Sequence, residues 1–315
     1  MRGRIYNAMQ QKLYFTYRSY LKSRFGTPVL KIPVNAGFSC PNRDGTKSVE
    51  GCLFCDNRSF SPVSECSLSP VDQVMTAICR SGEKYKAFLP YLQPFSNTYA
   101  PAEKLRAIYE PLLKEPNVVG LAVGTRPDCF DRSIYDYLGE LAGRTYLSIE
   151  LGLQSGHDKT LEKINRGHSV KDFCDAVTVL HSMGIQTVAH VMLGFPWETL
   201  EMAGKTARLL SRLPVSGVKI HQLMIIRGTT LETQYQAGAL EPVSIENYAV
   251  QLGLFLSLLR PDQHIHRIMA DSRPEFGLVE PLWSAHKQES MDFLHRYLTQ
   301  NGITQGSGLS SDSVI

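Results

Sequence analysis

The feature that most constrains this chain is an alternation repeated six times. Short apolar runs at 29–34, 87–93, 117–123, 145–153, 186–193 and 217–224 read as strands. The stretches at 69–84, 101–113, 131–142, 159 onward, 170–183 and 200–213 read as amphipathic helices. Strand–helix repeats place consecutive strands parallel, joined by right-handed crossovers. The fold class is therefore α/β, and in a barrel of such units functional side chains gather just after each strand. A helix over 8–25, ended by Gly26 and Pro28, precedes the first strand. A helix at 245–259, a possible strand at 264–269 and a helix at 287–300 follow the sixth. The domain reading is a helical extension over 1–27, a barrel over 28–240 and an α/β extension over 241–303. A Ser/Gly-rich tail, 304–315, is expected to be disordered.

Several classes are excluded early. No apolar run reaches the ~18 residues of a membrane-spanning helix. The N-terminus lacks the apolar core of a signal peptide. Seven cysteines, odd in number and irregularly spaced, do not suit a secreted disulfide framework. A reducing cytoplasm is the expected compartment.

The net charge of +3 is unevenly spread. Residues 1–43 hold eight basic residues and no acid, so the remainder carries 25 basic and 30 acidic residues. Tyr6, Tyr14, Tyr17 and Tyr20 are interleaved with Arg18, Lys22 and Arg24. Cations among aromatic faces suit a phosphate backbone with unstacked bases. The plainer alternative is a solvated helix whose tyrosines pack on the barrel.

The loop after the first strand carries Cys40-x11-Cys52-x2-Cys55, with Asn42, Asp44 and Gly45 marking a turn. Clustered thiolates suit zinc or an iron–sulfur cluster. With Cys66 the set would close a four-thiolate zinc shell. Three ligands on a cluster would instead leave one iron open, and a strand-end loop is the place for an open site.

Other strand ends offer further candidates. Phe54, between the last two cysteines, suits a cover beside an adenine ring. After the second strand, Ser96, Asn97 and Thr98 are candidates for holding an amino-acid head group, or form an ordinary turn. After the third, Arg126 either binds an anion or pairs with Asp128, and Cys129 is a candidate thiol. On the fourth, Glu150 and Gln154 are candidates for ribose hydroxyls, Glu150 also for catalysis, since an inward carboxylate needs a partner. Arg166 is a candidate for a carboxylate. Gly194 lets a flat ring approach the backbone. Arg227 is placed to face an anionic substrate. His190, His221, His264 and His266 read as satisfied structural histidines.

The stretches VNAGFSCPNRDG, GCLFC, GTRPDC, ELGLQSGHDKTLEKINRGH, HVMLGFPWET and VKIHQLMIIRGTTL together resemble the radical SAM superfamily. Within it the chain is most similar to the YhcC/YtqA type, and it also resembles the radical SAM half of the Elongator catalytic subunit. The resemblance implies a partial (β/α)6 TIM-like barrel with N- and C-terminal extensions. It implies a [4Fe–4S] cluster on Cys40, Cys52 and Cys55, with S-adenosylmethionine (SAM) chelating the fourth iron. Reduction by a flavodoxin- or ferredoxin-like donor would cleave SAM to methionine and a 5′-deoxyadenosyl radical. It also implies tRNA as a partner, with Arg18, Lys22, Arg24 and Arg227 as contact candidates. The implied reaction matures the C5 side chain of a wobble uridine from 5-carboxymethylaminomethyl towards aminomethyl. The alternatives are a radical SAM enzyme acting on a small molecule or peptide, and a non-catalytic zinc-binding adaptor.

Overall fold

A computed structural model describes residues 13–309, except 57, 58, 60 and 62. Seven strands form one parallel sheet: β1 (Val29–Val34), β2 (Ala87–Leu92), β3 (Gly120–Thr125), β4 (Tyr146–Gln154), β5 (Gln186–Leu193), β6 (Gly217–Gln222) and β8 (His264–Arg267). Their spatial order is their sequence order, with every neighbouring pair parallel. An order without a switch point winds one way only, which gives a curled half-barrel rather than a doubly wound sheet. The short β7 (Ile225–Ile226) pairs antiparallel with β9 (Leu278–Glu280) outside it. No helix among the described residues is long and apolar enough to cross a membrane.

The crossovers are α2 (Pro70–Ser81), α3 (Ala102–Leu113), α4 (Arg132–Ala142), α5 (Asp158–Lys163), α6 (Val170–Ser182) and α7 (Leu200–Arg212). α8 (Thr230–Gln236), α9 (Ile245–Ser257) and α10 (Lys287–Gln300) follow. Their starts are chemically set. Ser69, Asp131, Thr199 and Ser244 each accept from a backbone N–H three residues on, and Ser169 with Asp172 forms a full capping box. Side chains alternate across the sheet. Ile32, Leu92, Val123, Ile149 and Val191 face the helices, where Tyr109, Leu138, Phe173 and Val177 cover them. The opposite set, including Lys31, Tyr91, Glu150, His190 and Lys219, lines the barrel interior.

The sheet is open between β1 and β8, and α1 (Tyr17–Phe25) packs against both edges. The helix expected over 8–25 is interrupted at residues 14–16: Leu13 is helical, and α1 begins anew at Tyr17 with Thr16 as its N-cap; residues 8–12 lie outside the described residues. Just before it the chain is extended, and Ile265 donates its N–H to Phe15 O at 2.7 Å. Tyr14 and Tyr17 are buried, and Tyr17 stacks on His266 with ring centroids 3.7 Å apart. Tyr17 and Leu21 meet Leu89, Tyr91, Ala122 and Tyr146, plugging one end of the interior. These tyrosines are packing residues rather than stacking platforms for bases; Tyr6 lies outside the described residues. His264–Arg267 is the seventh strand of the main sheet. Residues 304–309 fold back, with Gln305 accepting from Phe15 N and donating to the carbonyls of Arg260 and Gln263; residues 310–315 lie outside the described residues.

Candidate active site

The cysteine loop lies over the C-terminal ends of β3 and β4, and its length is what that span requires. Lys47 reaches Asp128 at 2.5 Å and Gly167 O at 2.7 Å. Asn165, in the left-handed region at φ 52°, donates to Gly51 O at 2.7 Å. Asn42 donates to Asn165 O at 2.5 Å. Leu53 is tied to Ile164 O, and Leu231 N–H to Leu53 O. Phe54 drops into a small loop core with Leu161, Ile164, Met192, Phe195 and Leu231. It anchors the loop and does not line the cavity, contrary to the role of a ring cover.

Cys40, Cys52 and Cys55 line one cavity together with Ser96, Arg126, Glu150, Gln154 and Arg166. Cys52 is buried, and two donors are aimed at its sulfur: Arg166 Nη1 at 3.4 Å and Asn42 Nδ2 at 3.6 Å. Burial, then the neighbouring Cys52, pushes the Cys55 thiol up to about 12 against the pull of Arg43. A metal centre that takes up the charge of a coordinating thiolate would favour the ionised form of Cys55. Among the described residues no three His, Cys, Asp or Glu side chains stand in ligating geometry, so the thiols share a wall rather than a point. The donor set nevertheless fits an anionic thiolate-held cluster: three sulfurs, donors directed at one of them, and two buried guanidiniums alongside. Cys66 lies elsewhere, lining a separate cavity with Leu30, Ile32 and Pro33, so the four-thiolate zinc shell is not assembled.

Arg126 takes up one of its two sequence readings, the pairing with Asp128. Nε and Nη2 clamp Asp128 at 2.9 Å each, while Nη1 is buried without a partner. Burial works against the charged form of Asp128, yet Arg126 and Lys47 hold its carboxyl down at about 2. Arg166 Nη2 donates to Gly152 O at 3.0 Å. A β-carbon at position 152 would fall on that same nitrogen, so glycine leaves room for the Arg166 guanidinium to lie against this strand. Gln154 ends β4 at φ 74°, a left-handed conformation that costs a non-glycine residue energy and is found at functional sites.

Other candidates are not brought to this cavity. Asn97 spends its amide on the carbonyls of Leu92, Pro94 and Gly124, and Thr98 Oγ1 bonds Thr125 and Cys129 O. These side chains satisfy buried backbone rather than a ligand. Cys129 is buried outside the cavity lining, and its thiol is pushed up to about 12, first by burial and then by Asp128. Gly194, at φ 86°, meets Val243 where a ring would approach. Arg18, Lys22 and Arg24 are exposed on α1. A second cavity lies between α1 and the end of β8, lined by Arg18, Lys22, His266, Arg267, Asp271 and Lys287 among others. Arg227 is exposed beside β7 and lines neither cavity.

Sequence reasoning missed the floor of the interior. Glu150, fully buried, receives Lys31, Lys219 Nζ at 3.1 Å and His190 Nε2 at 2.7 Å, with His266 Nδ1 at 3.5 Å. Burial alone would raise the Glu150 carboxyl, but Lys219 and Lys31 hold it well below the usual range. Lys219 is pushed down to about 7, chiefly by burial. The available signal was a lysine inside each of two apolar strands, VLKIPV and GVKIHQ.

A family model described as the Radical SAM superfamily matches residues 40–210, from the first cluster-loop cysteine to the end of α7. The chain belongs to the radical SAM superfamily. A second model, the Radical_SAM C-terminal domain, matches residues 215–300. The chain is 37% identical over 302 residues to the protein YtqA of Bacillus subtilis, covering 94% of this chain and 92% of that one. It is 28% identical over 189 residues to a tRNA uridine(34) acetyltransferase of Methanocaldococcus infernus, 59% of this chain and 34% of that protein. The Elp3 structure from Methanocaldococcus infernus shares the fold at TM-score 0.66 and 18% identity, covering 88% of this chain and 64% of that one. As a radical SAM protein the chain is an enzyme whose cofactors are a [4Fe–4S] cluster and SAM.

Proposed function

We propose that this radical SAM enzyme modifies the C5 side chain of the wobble uridine in tRNA, taking a 5-carboxymethylaminomethyl group towards aminomethyl. The observation that carries the chemistry is the shared wall of Cys40, Cys52 and Cys55 beside two buried guanidiniums. In this reading the three cysteines hold the cluster. Arg166 and Asn42 donate to the Cys52 sulfur. Arg126 offers its unpartnered Nη1, with Ser96 and Gln154 beside it, to the polar groups of SAM. When bound, the cofactor pair supplies a carbon-centred radical that abstracts hydrogen, given one electron from a flavodoxin- or ferredoxin-like donor. The chain orients the reactants and keeps water out.

The tRNA half of the reading is supported by the similarity to a tRNA uridine(34) acetyltransferase and by Arg18 and Lys22. Both are exposed at the rim of a cavity that also holds Arg267 and Lys287. The test uses anaerobically reconstituted protein with reductant and SAM, in which 5′-deoxyadenosine is measured with and without tRNA. Stimulation by tRNA, with one uridine derivative altered on nucleoside mass spectrometry, is expected. Turnover indifferent to tRNA overturns the tRNA substrate and points to a small molecule or peptide.

The double variant Arg18→Gln/Lys22→Gln is expected to weaken tRNA binding uniformly across sequences. It also lowers the slope of log K against log salt by about 1 for each phosphate that is no longer neutralised. An unchanged slope in filter binding at several salt concentrations removes α1 from the RNA interface.

A further inference from the structure

Two buried guanidiniums line the cavity of the cysteines, and they are used differently. Arg126 is clamped on Asp128 through Nε and Nη2, so its charge is matched. Arg166 is 8% exposed and pairs with no carboxylate among the described residues. Its Nη2 donates to Gly152 O at 3.0 Å and its Nη1 to the Cys52 sulfur at 3.4 Å, while Nε is buried without a partner. Buried charge without a counter-charge is costly in a stable fold. The group before this fork that can become an anion is the Cys52 thiol. Arg43 also lines the cavity, but it is exposed and rests on Cys55 O, so solvent and salt screen it.

The seat of this guanidinium is built. Gly152 leaves the space that Nη2 occupies. Arg166 N–H donates to Leu161 O at 2.8 Å, and the preceding Asn165 is tied to Gly51 O at 2.7 Å. Asn42 completes the arrangement: its Nδ2 lies 2.5 Å from Asn165 O and 3.6 Å from the Cys52 sulfur. Cys52 thus receives one charged and one neutral donor. Among the described residues no side chain donates to the sulfur of Cys40 or Cys55, so the donors are concentrated on one of the three thiols. Hydrogen bonds and charge at ligand sulfurs are what a protein uses to set the potential of an iron–sulfur centre. Reduction adds negative charge to such a centre, and a cation held at a ligand sulfur stabilises the reduced form.

We infer that Arg166, seconded by Asn42, raises the reduction potential of the cluster through the Cys52 sulfur. The inference rests on the reading that Cys40, Cys52 and Cys55 hold the cluster. It gives the guanidinium to the cluster rather than to the carboxylate suggested by the sequence. Arg166 is then a positioning and tuning residue, and it makes the cluster easier to reduce by a one-electron donor of moderate strength.

The test is a redox titration of cluster-loaded protein without SAM, followed by the electron paramagnetic resonance signal of the reduced cluster. Arg166→Gln keeps a hydrogen-bonding group and removes the charge. It is expected to lower the ratio of reduced to oxidised cluster at fixed poise about tenfold, a shift of about 59 mV to more negative potential for one electron. Arg166→Lys keeps the charge and is expected to stay near wild type. Asn42→Ala shifts the potential in the same direction by less, since a neutral donor is roughly half as strong as a charged one. Gly152→Ala retains the arginine but displaces Nη2 from its seat, and it is expected to reproduce part of the shift. A clamp that only holds the loop would change the melt and leave the potential where it is. A wild-type potential in Arg166→Gln overturns the proposal, and weakened SAM binding in that same variant then assigns the guanidinium to the carboxylate. A shift as large in Arg166→Lys as in Arg166→Gln also overturns it, since the charge is then not the cause. If Arg166→Gln holds no iron, Gly152→Ala decides alone, and a wild-type potential there overturns the proposal. Iron content of Cys52→Ala separates the two levels. Iron retained in that variant fails the ligand reading and this proposal with it; iron lost there, with an unmoved potential in Arg166→Gln, fails the proposal alone.

Discussion

Replacing Cys52 by alanine abolishes bound iron and reduces 5′-deoxyadenosine formation to the level of apo-protein, while the cooperative melt is kept. Cys52 is buried at the point where Arg166 and Asn42 converge, so its sulfur is the best supported of the three by donors. Its loop is held by interactions that do not involve that sulfur. These are the backbone ties of Leu53, the Phe54 anchor, and the Lys47 and Asn165 bridges. Exchange of one small buried side chain costs about 1 kcal/mol, well within the stability of a domain this size. Iron and acid-labile sulfide assays on the reconstituted variant check the first half, and a thermal melt checks the second. A Cys52→Ala protein that still makes 5′-deoxyadenosine overturns the assignment of the cluster to this loop. The Cys66→Ala variant is the companion measurement. Its thiol lines a different cavity, so iron content is expected to match wild type.

The fold was legible because the strands are buried on both faces. Such strands read as plain apolar runs, and β1 and β5 fall at the limits expected from sequence. The third strand begins three residues later than expected. Asn117 adopts φ 60°, and Gly120 sits where a β-carbon would meet Tyr146 O, so the apolar run starts in a turn and only then joins the sheet. The helix α8 went unread, although its signal is local. Thr229 accepts from Glu232 N, and the Glu232 carboxylate returns to Gly228 N at 2.7 Å. A Thr-x-x-Glu spacing after Gly228 carries that pattern.

The site was half legible for a related reason. Cysteines announce themselves by spacing, and Glu150 by being a carboxylate within an apolar strand. Asn97 and Thr98 look like ligand donors in a polar loop, but the turn after β2 buries carbonyls that need those donors first. Which of the two uses prevails depends on how deeply the loop is covered, which is set by β3 and its own loop. Lys31 and Lys219 lie 188 positions apart and become one feature only when β1 and β6 face each other across the interior.

Replacing Glu150 by glutamine is expected to cost about 3–5 kcal/mol of stability at pH 6, because it leaves buried ammoniums without their carboxylate. Glutamine preserves shape, so the loss reports charge rather than a cavity. The pH dependence supplies the sharper check. Lys219 falls from its ordinary value of 10.5 to about 7 in the folded protein, chiefly through burial. Between those values the unfolded chain holds more protons than the folded one, so wild-type stability gains a rising contribution from this group as pH increases across that window. Below about pH 7 the ammonium is charged in both states, and Glu150 is then needed most. Glu150 itself is depressed well below its ordinary 4.5, so it stays ionised throughout this range, and its own contribution is lost only in strong acid. The deficit of Glu150→Gln is therefore expected to narrow between pH 6 and pH 9, as Lys219 releases its proton. Urea melts of both proteins at the two pH values measure it. A deficit equal at both would mean that the ammonium is not what the carboxylate balances. The double variant Glu150→Gln/Lys219→Met then separates the two partners. It recovers part of the loss only if the charge imbalance is the cause, since Lys31 is left as the remaining cation of the pair.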